Sequence, residues 1–413
     1  MLTFYGTGMI LGAGIYSIIG KAAEKTGDSL WLGFLLAGLA AFLTALSYAE
    51  LSTMFPKAGA EFVYLSEAFK KRKWLGSTAG LAMAFSGAAT AATVAMAFAG
   101  YFAQFTAEVS VGAVALLLLL IFTGVAIIGI RASGWFNVIS TLIEIGGLIL
   151  IIYLGITSEK FGEVLAAAPH LGTLSGSAII IFSYFGFESI ANLAEEAKEP
   201  EKDLPRAIIL SVIISTVLYV LVALAAPALL SIEKISASDA PLMDVARTVS
   251  ANVGKILGGI ALFSTANTAL ISLIGASRIL YGMANDKVLP KIFTKILPRR
   301  QTPWIASLAV LLTAVLFLPL GKLETVAKVS ALATLFVFFS VNIALVSLRK
   351  CEPTIKRPFR IKPEIRGIPV FPLLGAAVTF LLLTQFELLI YSIGGTFLLL
   401  TAIGFACFER KIQ

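Results

Sequence analysis

Residues 6–16 read GTGMILGAGIY, which places four glycines inside an uncharged stretch that covers residues 1–20. Glycine in a helix interior costs about 1 kcal/mol relative to alanine, so a helix that only has to cross a membrane should contain few glycines. Close packing is one explanation, because small residues line the interfaces between membrane helices. The other explanation is that the helix is interrupted within this stretch.

A second unusual stretch, residues 182–189, reads FSYFGFES and lies in another apolar segment. It combines aromatic residues, one glycine and a carboxylate, Glu188. A charge near the centre of a bilayer costs about 2.5–3.5 kcal/mol, and such residues usually face a cavity. The simpler explanation for this carboxylate is that neighbouring helices supply its hydrogen-bond partners. The functional explanation is that the helix is interrupted here and that Glu188 faces a cavity.

The composition of the whole chain indicates a helical membrane protein. Of 413 residues, 58% are hydrophobic and 14% are charged, whereas soluble domains carry roughly 25% charged residues. Ordinary soluble enzymes and disordered chains are thereby excluded. Twelve apolar stretches are long enough to cross a bilayer. We number them spans 1 to 12: residues 1–20, 29–49, 74–107, 111–130, 132–156, 171–194, 207–232, 256–277, 301–321, 329–348, 367–386 and 388–408.

The loops between these spans alternate in their content of lysine and arginine. With cytoplasmic termini, 24 of the 32 lysines and arginines lie in cytoplasmic loops and 8 lie outside. Positive residues accumulate on the cytoplasmic side of membrane proteins. We therefore expect a multi-pass protein of the cytoplasmic membrane with both termini inside, built as a single domain over residues 1–413.

Residues suited to catalysis or metal binding are scarce. The chain has one histidine, His170, and two cysteines, Cys351 and Cys407, without metal-ligand spacing. We therefore expect no metal, no cofactor and no enzymatic activity. The positive net charge follows from membrane orientation, so no nucleic acid is expected as a partner.

The two glycine-containing stretches occupy equivalent positions if spans 1–5 and 6–10 form two halves of the molecule. An odd number of spans in each half forces the second half to be inverted relative to the first. Paired interrupted helices in an inverted repeat indicate a transporter binding site at the membrane midplane. A half-helix offers free N–H groups at its start and free carbonyls at its end, which together suit a zwitterion such as an amino acid.

Four ordered motifs resemble those of amino acid permeases of the amino acid–polyamine–organocation (APC) family, over essentially the whole chain. They are GAGIY at residues 12–16, SYAEL with FPKAGAEFVY at 47–64, YFGFE through AEE to LPRA at 184–207, and SRILY with a following aspartate and LP at 277–290. The resemblance implies an all-α membrane protein with 12 transmembrane helices in a five-plus-five inverted repeat. Repeat one would cover about residues 1–156 and repeat two about 171–348, with helices 1 and 6 interrupted and two extra helices at 367–408.

The resemblance also implies a substrate site at the two interruptions. The carboxylate of the substrate would meet backbone N–H groups, its ammonium would meet carbonyls, and Phe182 would act as an aromatic gate. The implied binding residues are Gly12, Ala13, Gly14 and Ile15 in span 1, and Phe182, Ser183, Phe185 and Glu188 in span 6. Glu50 and Glu61 are expected to be structural. Glu195, Glu196 and Arg206 are expected to belong to a solvated loop, with a cytoplasmic gate as the alternative.

One departure from the family concerns the coupling ion. Proton-driven members often carry a lysine in span 5, and the alignment places Glu144 there. Glu144 can carry a proton or help to hold a cation such as Na⁺, or it is a carboxyl without a coupling role. The expected neighbours of Glu144 in such a site are the carbonyls of Gly8 and Leu11 and a polar side chain of span 8: Ser264 or Asn267, with Thr265 and Thr268 as alternatives.

Span 8 has no aromatic residue between Ser264 and Leu280. Exchangers of arginine and its amine stack a guanidinium there, so the resemblance favours a small or medium neutral amino acid. Proton- or cation-coupled symport is the preferred function, with an amino acid/amine exchanger and a non-transporting sensor as alternatives. No obligate protein partner is expected, and the missing charged leader before span 1 predicts a truncated start.

Overall fold

The computed structural model describes residues 2–12, 14–57, 59–106, 109–129, 134–166, 168–193 and 197–412. For residues 134–137, 408 and 410–412 it describes the backbone alone. Among the predicted site and loop residues, Ala13, Glu195 and Glu196 lie outside the described parts of the chain.

Helices make up most of the described chain. The α-helices are α1 Leu2–Leu11, α2 Gly14–Thr26, α3 Leu30–Met54, α4 Ala60–Ala68, α5 Trp74–Ala103, α6 Val111–Ile128, α7 Gly134–Ile156, α8 Phe161–Leu165, α9 Thr173–Ile180, α10 Phe187–Ala191, α11 Pro200–Leu229, α12 Ile232–Ala237, α13 Pro241–Arg247, α14 Ala251–Asn285, α15 Trp304–Phe317, α16 Leu323–Cys351, α17 Val370–Leu383, α18 Leu388–Ile390 and α19 Thr396–Ile412. A short hairpin of β1 Glu364–Ile365 and β2 Ile368–Pro369 joins α16 to α17. Its turn residues Arg366 and Gly367 both have positive φ, as a two-residue hairpin turn requires.

The helical membrane class is confirmed by the length and apolarity of these helices. Nine described helical stretches are long and apolar enough to cross a membrane, and the first of them runs through α1, α2 and α3. Shorter apolar helices cover Trp304–Leu320 and Val370–Leu383. Every predicted span overlaps one of these segments, with spans 1 and 2 sharing the first, while the number of crossings stays a prediction.

Burial separates central helices from peripheral ones. In the most apolar windows of α5 and of the segment Thr173–Ala191, 78% of residues are buried inside the protein. The corresponding share is 28% for α6 and 11% for Leu388–Cys407, which therefore lie at the periphery. The second glycine-containing stretch thus lies in one of the most enclosed parts of the molecule.

Both predicted interruptions are present. Helix α1 ends at Leu11 and α2 begins at Gly14, inside the first glycine-containing stretch. Helix α9 continues into a 3₁₀ turn over Ile181–Tyr184, after which Phe185 is extended and Gly186 has φ of 125°. Such a φ is rare for residues with a side chain, so the glycine permits α10 to start in a new direction.

A buried ion pair fixes the ends of α3 and α16. Two nitrogens of the Arg349 guanidinium donate to the two carboxylate oxygens of Glu50 over 2.7 and 2.6 Å. Glu50 also accepts the backbone N–H of Ile361 over 2.9 Å, which holds the segment before the hairpin against the bundle. These contacts support the expected structural role of Glu50, because breaking a buried pair on one side leaves an uncompensated charge.

Candidate functional site

The two helix breaks contact each other directly. A Cβ atom added to Gly14 would lie 2.6 Å from both Cα and the carbonyl oxygen of Ser183. A Cβ atom added to Gly186 would lie 2.9 Å from the carbonyl carbon of Met9. Real Cβ atoms do not approach other atoms so closely, so each glycine allows one broken helix to pack its backbone against the other.

The hydroxyl of Tyr219 on α11 bridges the two breaks. It lies 2.6 Å from the carbonyl oxygen of Ile10 and 3.0 Å from that of Ser183. Ile10 is in the last turn of α1, where carbonyls lack a partner within the helix. Tyr219 is fully buried, so it satisfies backbone groups that water does not reach.

Helix α14 supports the same break from another side. The Ser264 hydroxyl donates to the carbonyl of Gly12, and the Gly12 N–H donates to the carbonyl of Gly8 over 3.0 Å. The missing side chain of Gly12 leaves room for the hydroxyl of Thr268, one turn further along α14. The end of α1 is therefore held by polar groups of α11 and α14 together.

The start of α2 has the properties of an anion-binding helix end. Gly14 and Ile15 are its first two residues, and both are buried. The first N–H groups of a helix have no acceptor within it, and the helix dipole adds partial positive charge there. The predicted carboxylate-binding residues Gly12, Gly14 and Ile15 thus lie at or beside this half-helix end.

The predicted ammonium-binding residues surround the second break. The Phe182 carbonyl accepts the N–H of Phe185 over 3.3 Å, and the Ser183 carbonyl accepts from Tyr219. Each carbonyl has a second lone pair and can accept one further donor. The rings of Phe182 and Phe185 lie 5.5 Å apart, and Phe182 is buried beside the break.

The carboxylate of Glu188 is hydrogen-bonded to the backbone of the second break, in which the residue itself lies. Both of its carboxylate oxygens accept the N–H of Gly186, over 3.0 and 2.9 Å. A carboxylate in the first turn of α10 also interacts favourably with the helix dipole. The side chain is 6% exposed, and this small exposed part faces the cavity described next.

A cavity of about 350 Å³ extends from the breaks toward one end of the bundle. Its lining follows α14 from Thr268 to Met283, a rise of about 22 Å at 1.5 Å per residue. At the inner end it reaches Met9 and Phe185, and beyond α14 it reaches Asp286. Of the predicted substrate residues, Phe185 and Glu188 line the cavity, whereas Gly12, Gly14, Ile15, Phe182 and Ser183 are buried beside it.

Glu144 is buried on α7, next to the break in the first helix. Neither carboxylate oxygen has a hydrogen-bond partner in the described parts of the chain, and the Ser264 hydroxyl, which donates to the Gly12 carbonyl, lies beside the carboxyl. The Tyr16 hydroxyl lies 3.4 Å from the backbone carbonyl of Glu144. A buried carboxyl without partners is costly unless it is protonated or paired with a cation.

The other predicted ion-coupling residues lie on two helices, α1 and α14, and differ in burial and hydrogen bonding. Gly8 and Leu11 are buried in the last turns of α1, and the Gly8 carbonyl is hydrogen-bonded to Gly12. Asn267 is half-buried on α14, and no hydrogen bond of its side chain is found in the described residues. Ser264 is therefore a residue of the predicted set that lies beside Glu144 and also contacts the break.

Tyr219 is a site residue that the motifs do not identify. It is the only aromatic residue in the apolar stretch 207–232. A tyrosine hydroxyl at membrane depth needs a hydrogen-bond partner, because no water is available there. This signal predicts that Tyr219 contacts a polar group, but it does not say which one.

Comparison with known proteins gives matches over most of the chain. A family model described as amino acid permease matches residues 1–408. The branched-chain amino acid permease BcaP of Bacillus subtilis is 26% identical over 412 residues, covering 92% of this chain and 85% of the relative. The methylthioribose transporter of the same organism is 29% identical over 399 residues, covering 91% and 85%. The vacuolar cationic amino acid transporter 4 of Arabidopsis thaliana is 30% identical over 384 residues, covering 85% of this chain and 63% of the relative.

Proposed function

Because the chain belongs to the amino acid permease family, we propose that it is a secondary active transporter that moves a neutral amino acid across the cytoplasmic membrane by alternating access. The chain is an integral membrane protein of a transporter family and not an enzyme. The observation that carries the proposal is the contact between the two broken helices, where Gly14 packs against the backbone of Ser183. This contact places the start of one half-helix beside the carbonyls of the other.

The proposed five-plus-five inverted repeat is supported by helix packing. Helix α3 packs extensively against α11, and α5 packs extensively against α14. These are spans 2 with 7 and spans 3 with 8, which are equivalent positions in the two halves. Twelve crossings with both termini in the cytoplasm complete the proposed topology, with the basic loops inside.

The proposed topology also identifies which conformation of the transport cycle the structure represents. The end of α14 near Met283 and Asp286, which the cavity reaches, lies on the cytoplasmic side in the proposed topology. The structure then corresponds to an inward-open conformation. Alternating access requires a second conformation in which this cavity closes and the breaks become accessible from outside.

The amino acid substrate follows from the two half-helix ends. Free N–H groups at the start of α2 would bind its carboxylate, and carbonyls around Phe182, Ser183 and Phe185 would bind its ammonium. The names of the relatives include branched-chain and cationic amino acids and methylthioribose. Because these substrates differ in charge and shape, the relatives do not indicate one class of substrate side chain. The residues that line the cavity of this chain are the better guide.

We further propose that Glu144 couples transport to a proton or a cation. Its carboxyl is buried without a hydrogen bond in the described residues, and it lies beside Ser264, which contacts the break through Gly12. Protonation or cation binding at Glu144 would therefore act directly on the end of α1. A carboxylate and a hydroxyl are oxygen ligands of the kind that hard cations prefer.

The test is uptake of a labelled neutral amino acid into proteoliposomes with imposed proton or sodium gradients, with wild type and Glu144→Gln compared. If Glu144 carries the proton, the variant exchanges substrate but no longer concentrates it. If Glu144 is a sodium ligand, the variant needs a much higher sodium concentration. Glu163→Gln, on an exposed carboxyl of α8, is the matched control.

Two outcomes would contradict the coupling proposal. Unchanged concentrative uptake in Glu144→Gln, with unchanged pH and sodium dependence, would make Glu144 structural and Glu188 the next candidate. If uptake by the wild type requires internal substrate and does not depend on the proton or the sodium gradient, the protein is an exchanger instead.

A further inference from the structure

Four hydroxyl groups form a hydrogen-bonded cluster between α5 and α16, which we call the hydroxyl quartet: Ser86 and Thr90 on α5, and Ser330 and Thr334 on α16. The Ser86 hydroxyl lies 2.8 Å from that of Ser330 and 2.5 Å from that of Thr334. The Thr90 hydroxyl lies 2.8 Å from that of Ser330. All four residues are buried.

The quartet forms part of the cavity wall. Ser86, Thr90 and Thr334 line the cavity, and Ser330 lies behind them in the cluster. Much of the wall nearby is apolar or lacks a side chain, as at Met83, Gly87 and Ile271. The quartet is therefore the polar part of the wall that α5 and α16 supply, and α14 adds the hydroxyl residues Thr268 and Ser272.

Along the helix axes, the quartet lies at nearly the same level as the two helix breaks. Thr334 precedes Phe338 by one helical turn on α16, and the ring of Phe338 is 6.1 Å from that of Phe185 at the second break. On the α5 side, a Cβ added to Gly87, the neighbour of Ser86, would lie 3.5 Å from the Ser272 carbonyl. Ser272 lies one turn of α14 after Thr268, and Thr268 packs against Gly12 at the first break. A substrate held at the breaks would thus extend its side chain within reach of the quartet.

Two members of the quartet have unused hydrogen-bonding capacity. A hydroxyl offers one donor and two acceptor sites. Ser86 and Ser330 also contact each other's backbone carbonyls, over 3.2 and 3.1 Å, so both are extensively bonded. Thr90 and Thr334 each make one hydrogen bond among the described residues. Both residues line the cavity, so this remaining capacity belongs to its wall.

We propose that the hydroxyl quartet reads the side chain of the transported amino acid and selects an uncharged side chain that carries a hydroxyl, as in threonine or serine, over branched aliphatic side chains. This inference rests on the proposed transport function. A site built to hydrogen-bond a substrate hydroxyl discriminates strongly against an analogue that lacks it, because its own polar groups then stay unpaired. An apolar pocket lacks this means of discrimination.

The carboxylates in the cavity wall do not change this preference. Glu61 accepts the Tyr48 hydroxyl over 3.0 Å, and Glu188 accepts the N–H of Gly186. Both are thus bonded to the protein itself, and the third carboxylate of the lining, Asp286, follows the end of α14 at the other end of the cavity from the breaks. The unused capacity of Thr90 and Thr334 comes from neutral groups. Preference for a cationic side chain is an outcome that the experiment below detects.

Threonine and valine have nearly the same shape and differ in the hydroxyl, so they form the decisive pair. Uptake of labelled threonine, serine, valine, leucine and lysine is measured in proteoliposomes with the full chain. We expect the half-maximal concentration for threonine to be at least about tenfold below that for valine, which corresponds to one hydrogen bond. Thr334→Val should reduce this ratio by about tenfold while leaving valine uptake unchanged or improved.

Thr93→Val is the matched control, because Thr93 is buried on α5 and its hydroxyl donates to the Ala89 carbonyl over 2.9 Å, outside the cavity lining. Thr90→Val provides a second test if Thr334→Val does not insert. Preference for valine, leucine or lysine in the wild type would overturn the inference while leaving amino acid transport intact. Absence of uptake for every amino acid, with the protein inserted and monodisperse, would overturn the proposed function and this inference with it.

Discussion

The hydroxyl of Tyr219 lies 2.6 Å from the carbonyl oxygen of Ile10, at the end of the first half-helix. The same hydroxyl is 3.0 Å from the carbonyl of Ser183 in the second break. A single side chain on α11 therefore connects the two breaks through carbonyls that are 173 residues apart in sequence, those of Ile10 and Ser183. Any movement of one break relative to the other has to change this contact.

Replacement of Tyr219 by phenylalanine removes the donor and keeps the ring. A buried acceptor left without its partner costs about 1–3 kcal/mol, so we expect uptake to fall by at least about tenfold in Tyr219→Phe. Initial uptake rates in proteoliposomes measure the effect. Tyr391→Phe is the control, since that hydroxyl donates to the Leu383 carbonyl far along the chain from both breaks. Wild-type uptake in Tyr219→Phe would show that the bridge is dispensable.

Replacement of Gly14 by valine places atoms where the backbone of Ser183 lies, because a Cβ there would be 2.6 Å from Cα of Ser183. We expect the two breaks to separate and uptake to be lost, with expression and membrane insertion retained. Gly146→Val on α7 is the control, because nothing lies within 4 Å of its added Cβ. Normal substrate affinity in Gly14→Val would mean that the glycine only serves helix packing.

Recognition by two half-helix ends predicts that the substrate must be a zwitterion. Decarboxylated amines and N-acetylated amino acids each lack one of the two charged groups that these ends bind. We expect both classes to compete at least about tenfold more weakly than the parent amino acid, which corresponds to one lost charge-assisted contact. Competition against labelled substrate measures this, and an amine that competes as well as its parent would contradict the proposed carboxylate site.

Stability should depend on pH through Glu61, which lies on α4 outside the membrane-spanning helices. Burial raises the pKa of the Glu61 carboxyl from 4.5 to about 7. Below pH 4.5 the carboxyl is protonated in both the folded and the unfolded protein, so burial carries no charge penalty. Above pH 7 the folded protein holds a buried charge, so the free energy of unfolding falls as the pH rises from 4.5 to 7.

Glu61→Gln removes this titration and keeps a side chain that the Tyr48 hydroxyl can contact. We expect the variant to be more stable than the wild type at pH 8, by up to about 3 kcal/mol, and the difference to shrink toward pH 4.5. Thermal unfolding in detergent at several pH values measures it, with Glu163→Gln as the control. A pH-independent difference between wild type and variant would contradict a raised pKa at Glu61.

The glycines and the intramembrane carboxylate identified the two stretches, while their equivalent positions in the two halves and the family resemblance favoured interrupted helices over close packing. The stretch around Gly12 and Gly14 predicts an interruption, and α1 indeed ends at Leu11. Likewise Gly186 and Glu188 mark the second break, where Gly186 has positive φ. Such local features are predictable because a helix that bends or stops needs residue types that an uninterrupted membrane helix avoids.

Contacts between distant helices were not predictable, because they depend on how each helix is rotated about its axis. Ser264 and Asn267 are three residues apart and were equally good candidates, yet the Ser264 hydroxyl reaches Gly12 while the Asn267 side chain forms no hydrogen bond in the described residues. The pairing of Tyr219 with Ile10 depends on the same rotation. The hydroxyl quartet likewise becomes visible only when α5 packs against α16.

The most direct measurement is uptake of labelled neutral amino acids into proteoliposomes that contain the purified full chain, with Gly14→Val and protein-free vesicles in parallel. We expect saturable uptake by the wild type that accumulates substrate when a proton or sodium gradient is imposed. For Gly14→Val we expect uptake at the level of protein-free vesicles, although the variant inserts into the membrane. Equal uptake by wild type and Gly14→Val, or no uptake of any amino acid by inserted wild-type protein, would contradict a transport site at the two helix breaks.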